Sequence, residues 1–339
     1  MRGTRRDFLR VTGASLVARQ ALAAGSSPSA SADAPIPRRP LGKTGAQVSI
    51  LGVGGSHLAE TKDEDEALRI VDEAIDAGVN FFDNAWEYHG GVSEQRLGKA
   101  LRGKRDQVFL MTKVCTHGRG ADVAMKQLEE SLKRLRTDHL DLWQVHECVY
   151  FDDPERHFAP GGVIEALDRA KKQGKVRFVG FTGHKHPAIH LAMLAHAYPF
   201  DTCQMPLNCF DAGYRSFEKQ VLPEVNRRGM AALGMKSLCG SGLPAQKGAV
   251  TPVDAIRYAM SLPVATTITG IDSREVLHQN LAVARGFQPM SESQMTALRS
   301  RVAGYAEDGA FELYKTSTKF DASEGRMQHG FPTKQELPL

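Results

Sequence analysis

The segment NFFDNAWEYHGG (80–91) ends an apolar run in Asp83 and places Tyr88 five positions on. Lys113 stands near the end of a second apolar run, VFLMTKV (108–114), and His146 near the end of a third, LDLWQVHE (140–147). A carboxylate, a phenol, an ammonium and an imidazole are the parts of a general acid. A phenol titrates near about 10 and exchanges protons poorly at neutral pH. A neighbouring ammonium favours its ionised form and is expected to lower that value. An ammonium sunk among apolar strands is costly unless a carboxylate pairs with it, a task for Asp83. His146 can hydrogen-bond a substrate carbonyl and turn it toward Tyr88. Catalysis of this kind accelerates a reaction by roughly 10²–10⁴. Taken singly, Asp83 reads as a turn former, Lys113 as a solvated strand end, Tyr88 as a packed aromatic and His146 as a core histidine. Their recurrence at the ends of consecutive apolar runs is what points to chemistry.

The elements that would bring them together alternate regularly. Strand-like VSILGVGG, NFFDNAW, VFLMTKV, LDLWQVHE, VRFVGFTG, TCQMPLN, MAALGMKSL and ATTITGI are separated by segments with helical spacing. Leu68, Val71 and Ile75 form one such stripe, and Met125, Leu128, Leu132 and Leu135 another. Ser93 is the expected N-cap of the helix SEQRLGKALRG. Strict alternation implies parallel strands with helical crossovers. Eight units over about 240 residues fit an α/β fold of the (β/α)8 TIM-barrel type, whose active sites lie at the carboxyl ends of the strands. The open doubly wound alternative lacks its fingerprint, since GVGG after the first strand has no third glycine in place. RRPLGKTGAQVSILG reads as a hairpin turning on Lys43-Thr44-Gly45, a plug for the barrel floor. The expected organisation is residues 1–34 as signal and linker, 35–290 as barrel, and 291–339 as a helical and extended tail.

With these residues in view, the chain resembles the aldo-keto reductases from PLGKTGAQVSILGVG to QNLAVAR. The resemblance implies a (β/α)8 barrel and a catalytic tetrad, which maps onto Asp83, Tyr88, Lys113 and His146. In that family Tyr is the acid, Lys and Asp tune it, and His orients the carbonyl. A reduced nicotinamide delivers hydride, which side chains cannot do. The implied cofactor is NADP(H), with NAD(H) as the alternative. The resemblance assigns its carboxamide to Thr182 and Gln204. Met235 replaces the customary stacking aromatic, and Gly183 stands where Asn is frequent. Gly54 and Gly55 after the first strand, with Lys236, Ser237, Leu238 and Gly240 after the seventh, are assigned to the cofactor, Lys236 supplying charge to the pyrophosphate. ITGIDSREVLHQN resembles the adenosine-end motif, giving Gly270, Gln279 and Asn280. Gly270, Asp272 and Val276 occupy places where NADPH-selective members carry basic residues, and Arg274 is the basic residue nearby. Trp86, His117 and the loop CVYFDDPERHFAPGG (148–162) are candidate walls for a carbonyl or alcohol substrate, a sugar or an aromatic compound.

The N-terminus carries a second resemblance. Arg5-Arg6 followed by Phe8-Leu9-Arg10, a weakly apolar stretch and a Ser/Ala/Pro linker resembles a twin-arginine (Tat) export signal, with ALA (21–23) and ASA (30–32) as cleavage sites. This implies passage through the Tat machinery to the periplasm as a folded protein.

Composition restricts the alternatives. The chain has 339 residues, 42% hydrophobic and 24% charged, ordinary for a globular protein. Most of the net charge of +4 lies in residues 1–34, so the body offers no basic surface for nucleic acid. No other stretch approaches the length of a membrane span. The five cysteines show no metal-ligand spacing, and four of them, in or beside apolar runs, read as small buried hydrophobes. Two further readings remain: a cofactor-binding sensor or interaction module on the same fold, and a metal-dependent hydrolase using His89, His146, His184 or His186.

Overall fold

The computed structural model describes residues 34–115 and 120–317, together with Phe320 and Ser323. The Tat-like stretch through Asp33, and His117, lie outside the described residues. A short antiparallel hairpin, β1 (Arg38–Pro40) and β2 (Gln47–Ser49), precedes eight parallel strands. These are β3 (Leu51–Gly54), β4 (Phe81–Asp83), β5 (Phe109–Cys115), β6 (Leu140–His146), β7 (Val176–Thr182), β8 (Thr202–Pro206), β9 (Ala231–Met235) and β10 (Thr266–Gly270). Each pairs with its neighbour in chain order, and β10 closes the barrel onto β3. The expected TIM barrel is therefore the observed fold.

The hairpin turns where its sequence indicates. Thr44 N–H donates to the Leu41 carbonyl at 3.1 Å, and Gly45 takes a φ of +79° that favours glycine. Leu41 and Val48 pack with Phe81, Phe109, Ala231 and Ala265, residues at the amino ends of the barrel strands. The hairpin thus covers the floor, and the opposite rim is left for the site.

Helices ring the barrel. Asp63 caps α1 (Glu64–Asp76) by accepting from Glu66 N–H at 2.8 Å. Ile70, Val71, Ala74 and Ile75 form its buried face, whereas Leu68 is only half-buried. The expected cap of α2 (Val92–Ala100) is not the observed one. Gly91 precedes that helix in the left-handed region, and Ser93 lies inside it, donating its hydroxyl to the Gly55 carbonyl. Ser93 ties the first turn of α2 to the turn after β3 instead of capping the helix. α3 (Ala121–Leu135), α4 (Asp153–Phe158), α5 (Val163–Lys172) and α6 (Pro187–Ala195) follow. α7 (Phe217–Gln220), α8 (Leu222–Arg227), α9 (Leu243–Gln246), α10 (Pro252–Ser261) and α11 (Arg274–Arg285) complete the ring.

The tail is not detached from the barrel. In α12 (Glu292–Val302), Met295, Leu298 and Val302 join the main apolar core. After it, α13 (Leu313–Thr316) returns toward the rim. There Lys315 is fully buried and donates to Asp211 at 2.7 Å, Glu312 at 2.8 Å and the Tyr214 carbonyl at 2.7 Å. Among the described residues no helix is long and apolar enough to cross a membrane.

Candidate active site

Asp83 ends β4, Lys113 lies two residues before the end of β5, and His146 ends β6. Their side chains converge with Tyr88, which lies in the turn Tyr88–Gly91 after β4. The Lys113 ammonium contacts the Asp83 carboxylate and donates to the Asn84 carbonyl at 2.7 Å and to the Tyr88 hydroxyl at 3.3 Å. Asp83, Lys113 and His146 are all buried. The Tyr88 and His146 rings meet edge to face, 5.7 Å between centroids.

Local sequence explains why Tyr88 is held there. His89, Gly90 and Gly91 all have positive φ, which two of the three tolerate because they are glycines. From α3, Arg134 donates to the Trp86 carbonyl at 2.7 Å and to Glu94 at 3.1 Å. Glu130 accepts from the Trp86 indole at 2.7 Å. Trp86 N–H in turn donates to the Lys113 carbonyl at 3.1 Å, fastening the loop to β5. Gly55 is needed for contact, since a Cβ there would collide with the Asp83 carbonyl and with Asn84. A Cβ on Gly54 would meet the Thr269 carbonyl at 2.9 Å. Both glycines allow backbones to approach beneath the rim, a packing task that the sequence reading did not give them.

The electrostatics depart from expectation. The Tyr88 phenol is pushed well above its ordinary value, not below it. Burial of its hydroxyl end is the main cause, followed by the Asp83, Glu87 and Glu147 carboxylates. The Lys113 charge is in direct contact with Asp83, so at the resting phenol it does not outweigh burial and the neighbouring carboxylates. The phenol is therefore a protonated donor at neutral pH.

Two residues here escaped the sequence reading. Glu87 is buried in the turn before Tyr88 and bonds to His146 Nδ1. Glu147, next to His146, stands 3.6 Å from His184 Nδ1. Their positions beside Tyr88 and His146 were the available signal. The His184 imidazole is driven well below its ordinary range by burial and then by the Lys236 charge. Lys236 takes a left-handed φ of +58° after β9, and its ammonium stands 5.5 Å from the Tyr314 ring centroid. Burial pulls its pKa down, opposed by Glu147.

Thr182 and Gln204 are register partners on β7 and β8. Both are buried, and Thr182 Oγ1 and Gln204 Oε1 have no hydrogen-bond partner. A donor-capable hydroxyl beside a vacant carbonyl oxygen fits a primary carboxamide, which needs one of each. Met235 is close by, its sulfur 3.6 Å from Gln204 Nε2. A Cβ at Gly183 would strike the Cys148 carbonyl, so the fold has no room for Asn there. Ser237 is buried in the turn after β9, Leu238 is half-buried, and Gly240 is exposed with φ +74°.

The α11 side is organised differently. Gly270 ends β10 against the His57 ring. Gln279 is exposed, whereas Asn280 is buried and donates to Thr269 Oγ1 at 3.2 Å. Arg274 is held by Glu66 at 3.3 Å and Glu73 at 3.5 Å. Asp272 is exposed. Of the substrate-wall candidates, Trp86 is fixed as described, and Phe151 stands 69% exposed at the loop before α4.

The candidate metal-binding histidines do not share a centre. His89 reaches Glu60 at 3.2 Å, and His186 caps α6 by accepting from Ala188 N–H at 3.1 Å. Among the described residues no group of three His, Cys, Asp or Glu could hold a metal ion.

Comparison with known proteins bears on this geometry. Residues 50–254 match the aldo/keto reductase family. The chain belongs to that family. It is 36% identical over 155 residues to L-galactose dehydrogenase from Arabidopsis thaliana, covering 43% of this chain and 48% of that protein. It is 31% identical over 211 residues to the aldo-keto reductase YhdN of Bacillus subtilis, covering 58% of this chain and 60% of that one. The chain thus spans about half to three fifths of the length of these curated relatives. The holo form of aldo-keto reductase AKR11C1 from Bacillus halodurans superposes with a TM-score of 0.66 at 23% identity, over 78% of this chain and 96% of that one, a likeness of fold. Within an aldo/keto reductase barrel, the cluster around Lys113 occupies the rim where active sites of such barrels lie.

Proposed function

We propose that this aldo/keto reductase interconverts an aldehyde or ketone with its alcohol, using NADP(H) or NAD(H). The observation that carries the reading is the Lys113 ammonium bridging Asp83 and the Tyr88 hydroxyl at 3.3 Å. Thr182 Oγ1 and Gln204 Oε1, buried and unpartnered, suit the nicotinamide carboxamide, and Lys236 the pyrophosphate. The bound nicotinamide supplies hydride chemistry at the carbonyl carbon. Tyr88 gives its proton to the carbonyl oxygen, and the Lys113 ammonium, already donating to that hydroxyl, stabilises the phenolate left behind. Asp83 holds Lys113 in place, and His146 orients the carbonyl. In the reverse direction Tyr88 takes the alcohol proton back.

The discriminating experiment is Tyr88→Phe, assayed against sugar-derived and aromatic carbonyls with both reduced nicotinamides. Turnover falls by roughly 10²–10⁴, while nicotinamide binding, read by fluorescence quenching, is retained. Full activity in this variant overturns the mechanism. Titration with both dinucleotides decides between them, since Arg274, the nearest base to the expected 2′-phosphate, is already engaged by Glu66 and Glu73.

Export completes the proposal. Residues 1–34 act as a Tat signal, the cofactor binds before export, and a second substrate recycles it in the periplasm. Arg5 and Arg6 both replaced by Lys then retain the protein in the cytoplasm. Native mass spectrometry of periplasmic protein finds bound dinucleotide; apo protein there refutes the carriage.

A further inference from the structure

The cations around the rim differ in what holds them. Lys113 lies against Asp83, Arg274 is engaged by Glu66 and Glu73, and Lys315 by Asp211 and Glu312. Lys236 is held by no carboxylate. Among the described residues its ammonium makes no hydrogen bond or ion pair, and Glu147 attracts it without touching it. It stands instead 5.5 Å from the centroid of the Tyr314 ring. That is inside the range of about 6 Å over which an aromatic face attracts a cation. The Lys236 backbone has a left-handed φ of +58°, a conformation that persists in a residue with a side chain only where the surroundings maintain it.

Tyr314 is firmly fixed beneath that ammonium. It is fully buried, and its hydroxyl donates to Glu312 at 2.5 Å and accepts from Asn208 at 3.1 Å. Asn208 also donates to the Lys236 carbonyl at 3.3 Å, and the His184 ring packs edge to face on Tyr314, 5.8 Å between centroids. Lys185 and Arg215 fasten the same segment by donating to the Ser317 carbonyl at 2.7 Å and the Lys315 carbonyl at 3.0 Å. Tyr314 lies beyond residues 50–254, the stretch that matches the family, so the tail brings this ring to the barrel. Burial, and then the Glu312 carboxylate, push its phenol well above the ordinary range, and the ring is neutral. A carboxylate in its place would neutralise the ammonium and hold it against any competing anion, as Asp83 holds Lys113. A neutral ring leaves the charge uncompensated, and its attraction is weaker than a charge-assisted bond to a phosphate oxygen.

We propose that Tyr314 is a positioning residue that keeps the Lys236 ammonium at the rim, uncompensated by any carboxylate, for the diphosphate of a dinucleotide. Without the diphosphate the cation rests on the ring; with it, the cation leaves the ring for the phosphate oxygens. The C-terminal segment thereby sets dinucleotide affinity through Lys236. This rests on the dinucleotide-dependent reading above, and not on the carbonyl substrate or on the proton transfer by Tyr88.

The test uses the full chain with 13C-labelled lysine, and ADP-ribose and its 2′-phosphate as probes that carry the diphosphate without nicotinamide. The Lys236 signal is identified as the one lost in Lys236→Arg. In the native protein its ε-methylene is shifted upfield by the Tyr314 ring, and it moves to the ordinary lysine position when a probe is bound. Tyr314→Phe keeps the upfield shift and Tyr314→Leu abolishes it. By calorimetry Tyr314→Leu weakens probe binding roughly tenfold, the scale of one desolvated cation–π contact. Tyr314→Phe loses the hydroxyl bonds to Glu312 and Asn208, and with them stability, yet keeps the affinity. In a Lys236→Met background Tyr314→Leu has no further effect on affinity, a non-additivity that a purely structural role does not produce. The proposal is overturned by a native Lys236 signal without the shift, by a shift that persists with probe bound, by additive losses, or by failure of both probes to bind. The native spectra decide the matter even where Tyr314→Leu does not fold. Probe binding that depends on Tyr314 in a protein that reduces no carbonyl refutes the reductase reading and leaves this proposal standing. Carbonyl turnover with an affinity indifferent to Tyr314→Leu does the reverse.

Discussion

The Lys113 ammonium lies against the Asp83 carboxylate, and both side chains are almost completely removed from solvent. The pair spans adjacent strands β4 and β5, so it joins barrel closure to site chemistry. Asp83→Asn leaves the ammonium buried and uncompensated. It is expected to cost about 3–5 kcal/mol of stability, measured by urea unfolding. The double variant Asp83→Leu, Lys113→Met recovers most of that loss without recovering activity. A stable Asp83→Asn protein contradicts this account.

Thr182 and Gln204 hold polar atoms that the fold itself leaves unused. Thr182→Val removes a buried hydroxyl with no partner while conserving shape. The variant is expected to be as stable as the parent, or more stable by about 1 kcal/mol. Its dinucleotide dissociation constant rises roughly tenfold, equivalent to about 1.4 kcal/mol. Lost stability with unchanged affinity indicates a structural hydroxyl instead.

Lys315 anchors α13 through Asp211 and Glu312, and the same segment carries Tyr314 beneath the Lys236 ammonium. Lys315→Met leaves two buried carboxylates without their cation, a loss of about 3–5 kcal/mol. Because Asn208 donates both to Glu312 at 3.1 Å and to the Lys236 carbonyl at 3.3 Å, dinucleotide affinity falls as well. Calorimetry of the folded variant reads both effects.

His190 is buried and neutral, its pKa lowered from 6.5 to about 4 by burial. The unfolded chain therefore binds a proton that the native state refuses between those values. Stability contributed by the neutral ring is present above about 6.5 and lost as pH falls toward about 4. The loss is about 3 kcal/mol, with His184 acting in the same direction. Urea midpoints measured at pH 7 and pH 4.5 show the decline, and His190→Gln reduces it. A midpoint insensitive to acid over this range excludes the effect.

The alternation of apolar runs with helical stripes determined the barrel, because period-two and period-3.6 patterns are local properties of the chain. The ends of those runs also placed Asp83, Lys113 and His146, since a strand's last residue can be read without knowing its neighbours. Ser93 shows where that method stops. Its type suits an N-cap, but its partner, the Gly55 carbonyl, lies 38 residues away and is found only after the chain closes. Glu87 and Glu147 show in sequence only as loop acids next to Tyr88 and His146, and burial beside His146 and His184 makes them part of the site. The sign of the Tyr88 shift was decided by three-dimensional structure as well. A list of residue types pairs the phenol with a lysine, whereas the folded rim gives that lysine's charge to Asp83 and surrounds the phenol with carboxylates. Sequence alone determined which groups are available and which strand ends carry them. Tertiary structure decided which charges are already matched, because desolvation and Coulomb energy depend on distances between residues far apart in the chain.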